Sequence, residues 1–119
     1  MLLDNKLVLI VEDESLIAEL LEDLLVDLGC QRTLKASSVE AAIESLMIES
    51  PDFAILDVNL GGKSSFPVAE ALKANAIPFL FLSGYDASSL PGPWHTHSFL
   101  GKPFSTETLT AKIAEALEV

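Results

Sequence analysis

The chain predicts a doubly wound α/β domain on a five-stranded parallel sheet, with the fourth helix shortened or missing. Two observations carry this. Short apolar runs rich in β-formers alternate with longer segments of helical period. Gly, Pro and Ser punctuate the boundaries where helices need stops and caps. Strands that alternate with helices at this spacing form βαβ units with right-handed crossovers. A length of 119 residues predicts one domain over residues 1–119, without room for a second. A chain of that size buries roughly two-thirds of its unfolded surface and needs no staples.

Leu7–Val11 is a continuous apolar run and reads as a strand buried on both faces. Leu16, Ile17, Leu20, Leu21, Leu24, Leu25 and Leu28 then outline one face of a helix, with Glu19, Glu22, Asp23 and Asp27 opposite and Gly29 as its stop. Cys30–Ala36 is a more polar strand, expected nearer a sheet edge, and Cys30 reads as a small buried apolar group. Ser37-Ser38-Val39-Glu40 matches a capping box for a second helix, which Pro51 ends. Phe53–Leu56 is a third strand leading into Asp57, and Gly61-Gly62 a loop. Pro67 opens the third helix, Pro78–Leu82 is the fourth strand and Phe99-Leu100 a very short fifth. Ser105 caps a last helix carrying Leu109, Ile113 and Leu117. Between Leu82 and Phe99 lie Gly84, Pro91, Gly92 and Pro93, which leave room for at most a short helical turn.

Charge excludes several functions. Seven Lys+Arg against 18 Asp+Glu give −11, a field that repels nucleic acid and anionic membrane. Residues 1–57 hold 13 of the acids and three of the bases, which points to a cation site or a basic partner on that half. The single cysteine agrees with a reducing compartment. The longest apolar run, Ala76–Leu82, contains Pro78 and falls far short of the ~20 residues that span a bilayer. The expected setting is cytoplasmic. His95 and His97 read as surface residues rather than metal ligands.

In an open parallel sheet, functional groups collect beyond the carboxyl ends of the strands. The residues just past those ends are Glu12-Asp13, Asp57, Ser83 and Lys102. Three carboxylates this close repel one another unless a divalent cation neutralises them, and Mg²⁺ prefers such oxygen donors. A lysine and a hydroxyl beside it suit phosphoryl oxygens, and an aspartate is a known phosphate-accepting nucleophile. The residues by themselves thus describe a Mg²⁺-dependent phosphoryl-transfer site centred on Asp57.

Val11-Glu12-Asp13-Glu14, Leu56-Asp57-Val58-Asn59-Leu60, Ser83-Gly84 and Gly101-Lys102-Pro103-Phe104, in that order at strand ends, closely resemble the receiver domain of two-component response regulators. The resemblance implies a flavodoxin-like receiver fold. It also implies that Asp57 takes the phosphoryl group from a phosphohistidine on a histidine kinase or histidine phosphotransfer protein. Asp13, Asp57 and the Asn59 backbone carbonyl would ligate Mg²⁺, with Glu12 acting through a water. Lys102 and Ser83 would bind phosphoryl oxygens, the Lys102–Pro103 peptide would be cis, and Ser83 with the aromatic Phe99 would form the switch. The first helix would dock the kinase. Pro78–Tyr85, Asn59–Gly62 and Phe66–Ala69 further resemble a single-domain subgroup with a Phe-Ala-Thr-Gly-type motif, here with Leu82 and Ser83 in place of its Ala and Thr. With the fourth helix eroded, phosphorylation is expected to reorder residues 84–94 instead.

The expected function is therefore a stand-alone signalling phosphoacceptor, not an enzyme, acting through a downstream protein target or as a phosphate shuttle or sink. The alternatives are a phosphorylation-independent interaction module and a small Mg²⁺-dependent aspartyl phosphatase. Asn59 stands where such a phosphatase places its acid–base aspartate.

Overall fold

A computed structural model describes residues 1–84, 90, 92–94 and 97–117. Its strands are β1 (Leu7–Val11), β2 (Arg32–Ala36), β3 (Phe53–Asp57), β4 (Asn59–Leu60), β5 (Lys63–Ser64), β6 (Phe79–Ser83) and β7 (Phe99–Gly101). Its helices are α1 (Ser15–Asp27), α2 (Val39–Ile48), α3 (Phe66–Ala74) and α4 (Thr106–Ala116). The main sheet is parallel throughout, in the order β2-β1-β3-β6-β7. The polar strand β2 is an edge, as its composition suggests, while β3 and β6 are buried at every position.

Two apolar layers flank the sheet. Ala18, Leu21 and Leu25 of α1 pack with Leu109 and Ile113 of α4 on Val8, Ile10, Ile55 and Leu80. On the other face Ala42 of α2 and Val68, Ala69 and Leu72 of α3 pack on Leu9, Ala54, Leu56 and Phe81. Burying each such Leu or Ile contributes roughly 1.5–3 kcal/mol before chain entropy is counted. Between β6 and β7 the described residues form only a 3-10 turn, Gly92–Trp94, in keeping with a shortened or missing fourth helix. Residues 85–89, the centre of the loop expected to reorder, lie outside the described residues, as does His95.

Several local expectations are corrected. Leu16 and Leu20 do not share the packed face of α1: they are 79% and 49% exposed. The inward stripe is centred on Ala18, Leu21 and Leu25, and Leu16 and Leu20 lie around the helix from it. The α2 cap is Ser38, whose hydroxyl accepts the Ala41 N–H at 3.1 Å, rather than a Ser37–Glu40 box. Glu40 instead pairs with Lys63 at 2.9 Å. Gly61-Gly62 is the turn of an antiparallel β4–β5 hairpin, with φ of +58° and +89°, the left-handed values a two-residue hairpin turn needs. His97 is half-buried rather than a free surface residue, with its ring 4.1 Å from that of Phe79 and a ring nitrogen 2.9 Å from the Phe79 carbonyl.

Candidate functional site

Parallel pairing brings four strand ends to one edge. Val11 pairs with Leu56, Asp57 with Leu82, and Ser83 with Gly101, so the residues that follow or close each strand stand side by side. The Glu12 N–H continues the β1–β2 ladder to the Ala36 carbonyl at 3.0 Å. The Lys102 N–H reaches the Ser83 carbonyl at 2.8 Å, and the Lys102–Pro103 peptide that follows is cis. An open cleft of about 510 Å³ lies over this edge, lined by Asp13, Asp57, Asn59, Ser83 and Lys102 with the backbone of Gly61 and Gly84.

The charged groups form one network. Lys102 Nζ donates to Glu12 Oε1 at 2.9 Å and to Asp57 Oδ2 at 3.1 Å. Backbone amides hold the remaining oxygens: Asn59 N–H to Asp57 Oδ1 at 3.2 Å, Glu14 N–H to Glu12 Oε2 at 3.2 Å, and Gly61 N–H to Asp13 Oδ2 at 3.0 Å. Glu12 and Asp57 are 3% and 6% exposed, whereas Asp13 is open to solvent. Burial, joined by the neighbouring Asp57 carboxylate, pushes Glu12 up from 4.5 to about 7, against the opposing pull of Lys102 and the Glu14 amide. Burial also works against the Lys102 charge, but its bonds to Glu12 and Asp57 outweigh that and hold the ammonium above its ordinary range.

Glu12, Asp13 and Asp57 each offer an oxygen within 4.8 Å of the others, the one such group of ligands among the described residues. Hard oxygen donors in an open, water-accessible cleft fit Mg²⁺, which keeps several waters and takes one or two carboxylates. They do not fit a soft or tetrahedral metal.

The structure gathers Glu12, Asp13, Asp57, Asn59, Ser83 and Lys102 at this edge. Ser83 is 4% exposed beside the cleft. Phe99 is not in the cleft: it is half-buried on β7, paired in register with Phe81, and packs against the α2–α3 layer. Residue types gave no warning of the backbone donors at Glu14, Asn59 and Gly61. Only the paired glycines at 61–62, which mark a positive-φ turn beside the site, carried a signal.

A sequence model of the response regulator receiver domain matches residues 8–114. The chain belongs to that family. This receiver is 31% identical to the transcriptional regulatory protein YvrH of Bacillus subtilis, over 98% of its own length and 51% of the relative's. It thus spans about half the length of the curated relatives it first matches. The solution structure of SdrG from Sphingomonas melonis Fr1 is 42% identical, with a TM-score of 0.84 over 100% of this chain and 99% of that one. The BeF3-activated conformation of SdrG superposes with a TM-score of 0.80 at 41% identity, covering 95% of this chain and 96% of that one. The anti-anti-sigma factor PhyR from Bartonella quintana has a TM-score of 0.81 at 26% identity, over 95% of this receiver and 47% of that chain.

Proposed function

We propose that residues 1–119 act as a receiver that accepts a phosphoryl group on Asp57 from the phosphohistidine of a histidine kinase or histidine phosphotransfer protein. The observation that carries this is the placing of Lys102 Nζ 3.1 Å from Asp57 Oδ2, beside the Glu12–Asp13–Asp57 cluster in an open cleft. An Asp57 oxygen forms a bond to phosphorus as the phosphorus–nitrogen bond of the donor breaks, and the imidazole leaves with the electron pair. Lys102 then has a phosphoryl oxygen in reach, and the Ser83 hydroxyl and Gly84 amide are candidates for the others. Asp13, Asp57, the Asn59 carbonyl and, through a water, Glu12 would hold Mg²⁺, which when bound offsets the charge of the carboxylates and the incoming phosphoryl oxygens. Water later cleaves the acyl phosphate, so the chain is a signalling phosphoacceptor rather than an enzyme with a substrate of its own.

For the donor, Ile17 and Leu20 of α1 form an apolar cleft of about 330 Å³ with Pro103, Phe104 and Lys102, the residue whose ammonium bonds Asp57. Exposed Leu16 and Leu20 among the acids of α1 suit an amphipathic basic helix. The downstream partner is a protein, a proposal supported by the likeness to PhyR, an anti-anti-sigma factor. A phosphate shuttle or sink would use the same chemistry. No helix among the described residues is long and apolar enough to cross a membrane, and the −11 charge disfavours nucleic acid. A cytoplasmic setting is part of this proposal, and the single cysteine suits it. Intact mass after incubation with Mg²⁺ and a small phosphodonor is expected to rise by one phosphoryl group in the wild type and not in Asp57→Asn. Equal uptake by Asp57→Asn, or turnover of a small phosphate ester by that variant, would overturn the assignment.

A further inference from the structure

We propose that the Gly61–Gly62 turn is a positioning element for the cation site, in which the Gly61 amide presets Asp13. The inference rests on the function proposed above. Of the three clustered carboxylates, Glu12 and Asp57 are buried and share Lys102. Asp13 is the exposed one, and its side chain has a single hydrogen bond among the described residues: the Gly61 N–H at 3.0 Å, from 48 residues away. A solvent-exposed carboxylate facing two other acids gains by turning outward into water. A fixed amide donor opposes that turn, and because the donor is neutral it leaves the second oxygen and the remaining lone pairs available to a cation.

The arm that carries this amide is anchored at several points. Asn59 pairs with Ser64 and Leu60 with Lys63. Leu60 is 4% exposed and packs in the α2–α3 layer. The Ser65 N–H closes the base of the hairpin on the Val58 carbonyl at 3.0 Å. At the tip the Gly62 N–H is held by Asn59 Oδ1 at 2.9 Å, and Lys63 pairs with Glu40 of α2. The amide is thus held by a short hairpin that the core fixes through Leu60 and the Gly62–Asn59 hydrogen bond closes at its turn.

Gly61 sits at φ +58°, so the position requires a residue at ease in the left-handed region. Space is not the constraint, because a Cβ there would lie 3.9 Å from Asp13 Oδ2, an ordinary contact. Asn, which accepts that conformation and favours the first place of a two-residue hairpin turn, should therefore preserve the arm in Gly61→Asn. Gly61→Pro removes the N–H and is incompatible with positive φ.

Calorimetric titration with Mg²⁺ tests this on folded protein. Gly61→Asn should bind within about twofold of wild type, and Gly61→Pro roughly tenfold more weakly, the usual loss when an outer partner of a ligand is removed. In the metal-free protein, exchange of the Gly61 amide proton should quicken in Asp13→Ala. Wild-type affinity in Gly61→Pro, equal weakening of both Gly61 variants, or unchanged Gly61 exchange in Asp13→Ala would each overturn the positioning role alone. Absence of Mg²⁺ binding by the wild type would overturn the proposed function and the positioning role together.

Discussion

Glu12 is where burial and charge conflict most sharply. Its carboxyl is 3% exposed, lies beside Asp57 and has one ammonium to share with it, so its proton is retained up to about pH 7. A group whose folded pKa lies above its unfolded value binds extra protons in the native state, and its stabilising contribution fades as pH rises through that interval. The metal-free protein should therefore lose stability between about pH 4.5 and pH 7 from this group, on the order of 2 kcal/mol. Glu22 and Glu40 act with the opposite sign in another window. Hydrogen bonds to Thr33 and Lys63 lower them, so their contributions are lost only as pH falls below 4.5. Urea unfolding in EDTA across pH 4.5–8 should show the slope in wild type and a flatter line in Glu12→Gln. An equal slope in both would assign it to another group.

Among the elements, α3 ends at a cost the chain could have avoided. The Ile77 N–H bonds back to Leu72 and the Ala76 N–H to Lys73, the pattern of a helix closed by a left-handed residue. That residue is Ala76, at φ +56°, where a Cβ is disfavoured by about 1 kcal/mol or more. Ala76 is exposed, so its methyl contributes little packing. Ala76→Gly is expected to raise stability by about 0.5–1 kcal/mol in denaturant unfolding despite glycine's greater chain entropy. By contrast, α4 starts well: the Ser105 hydroxyl accepts the Thr108 N–H, and Thr108 returns a bond to the Ser105 N–H. The tight strand-to-helix passage after Lys102 thereby leads into a capped helix.

Across the whole molecule, the two layers are built differently. One face of the sheet carries α1 and α4. The other carries α2 and α3, and among the described residues Leu90 and Trp94, each 5% exposed, join the same apolar layer. Trp94 stacks on Phe66 at 6.2 Å and meets Phe79 and Phe81 edge-on at 5.9 and 5.7 Å, with Lys73 Nζ 5.6 Å from its ring. A short turn with one large aromatic side chain thus covers apolar surface on β6. Trp94→Ala is expected to cost about 3–5 kcal/mol, a large share of the roughly 5–15 kcal/mol typical of a domain. Denaturant unfolding followed by far-UV circular dichroism measures it, and a loss below about 1 kcal/mol would mean that the ring is not a structural plug.

Residue order alone makes the alternation of main-sheet strands and helices legible, and with it the candidate site residues, but not the β4–β5 hairpin. Parallel βαβ units place every strand's carboxyl end on one edge, so Glu12-Asp13, Asp57, Ser83 and Lys102 were legible as neighbours from their places in the pattern. Gly29, Pro67 and Ser105 marked helix ends because their effects are local to one turn. Tertiary structure decided what depends on direction and distance. Both Leu20 and Leu21 fit a helical stripe on paper, but the packing of α1 against the sheet puts Leu21 in the core and leaves Leu20 exposed. The sharing of Lys102 between Glu12 and Asp57 and the reach of Gly61 to Asp13 join residues 45 to 90 positions apart. Such contacts follow from how the layers pack and how one hairpin leans, and no local pattern of residue types encodes either.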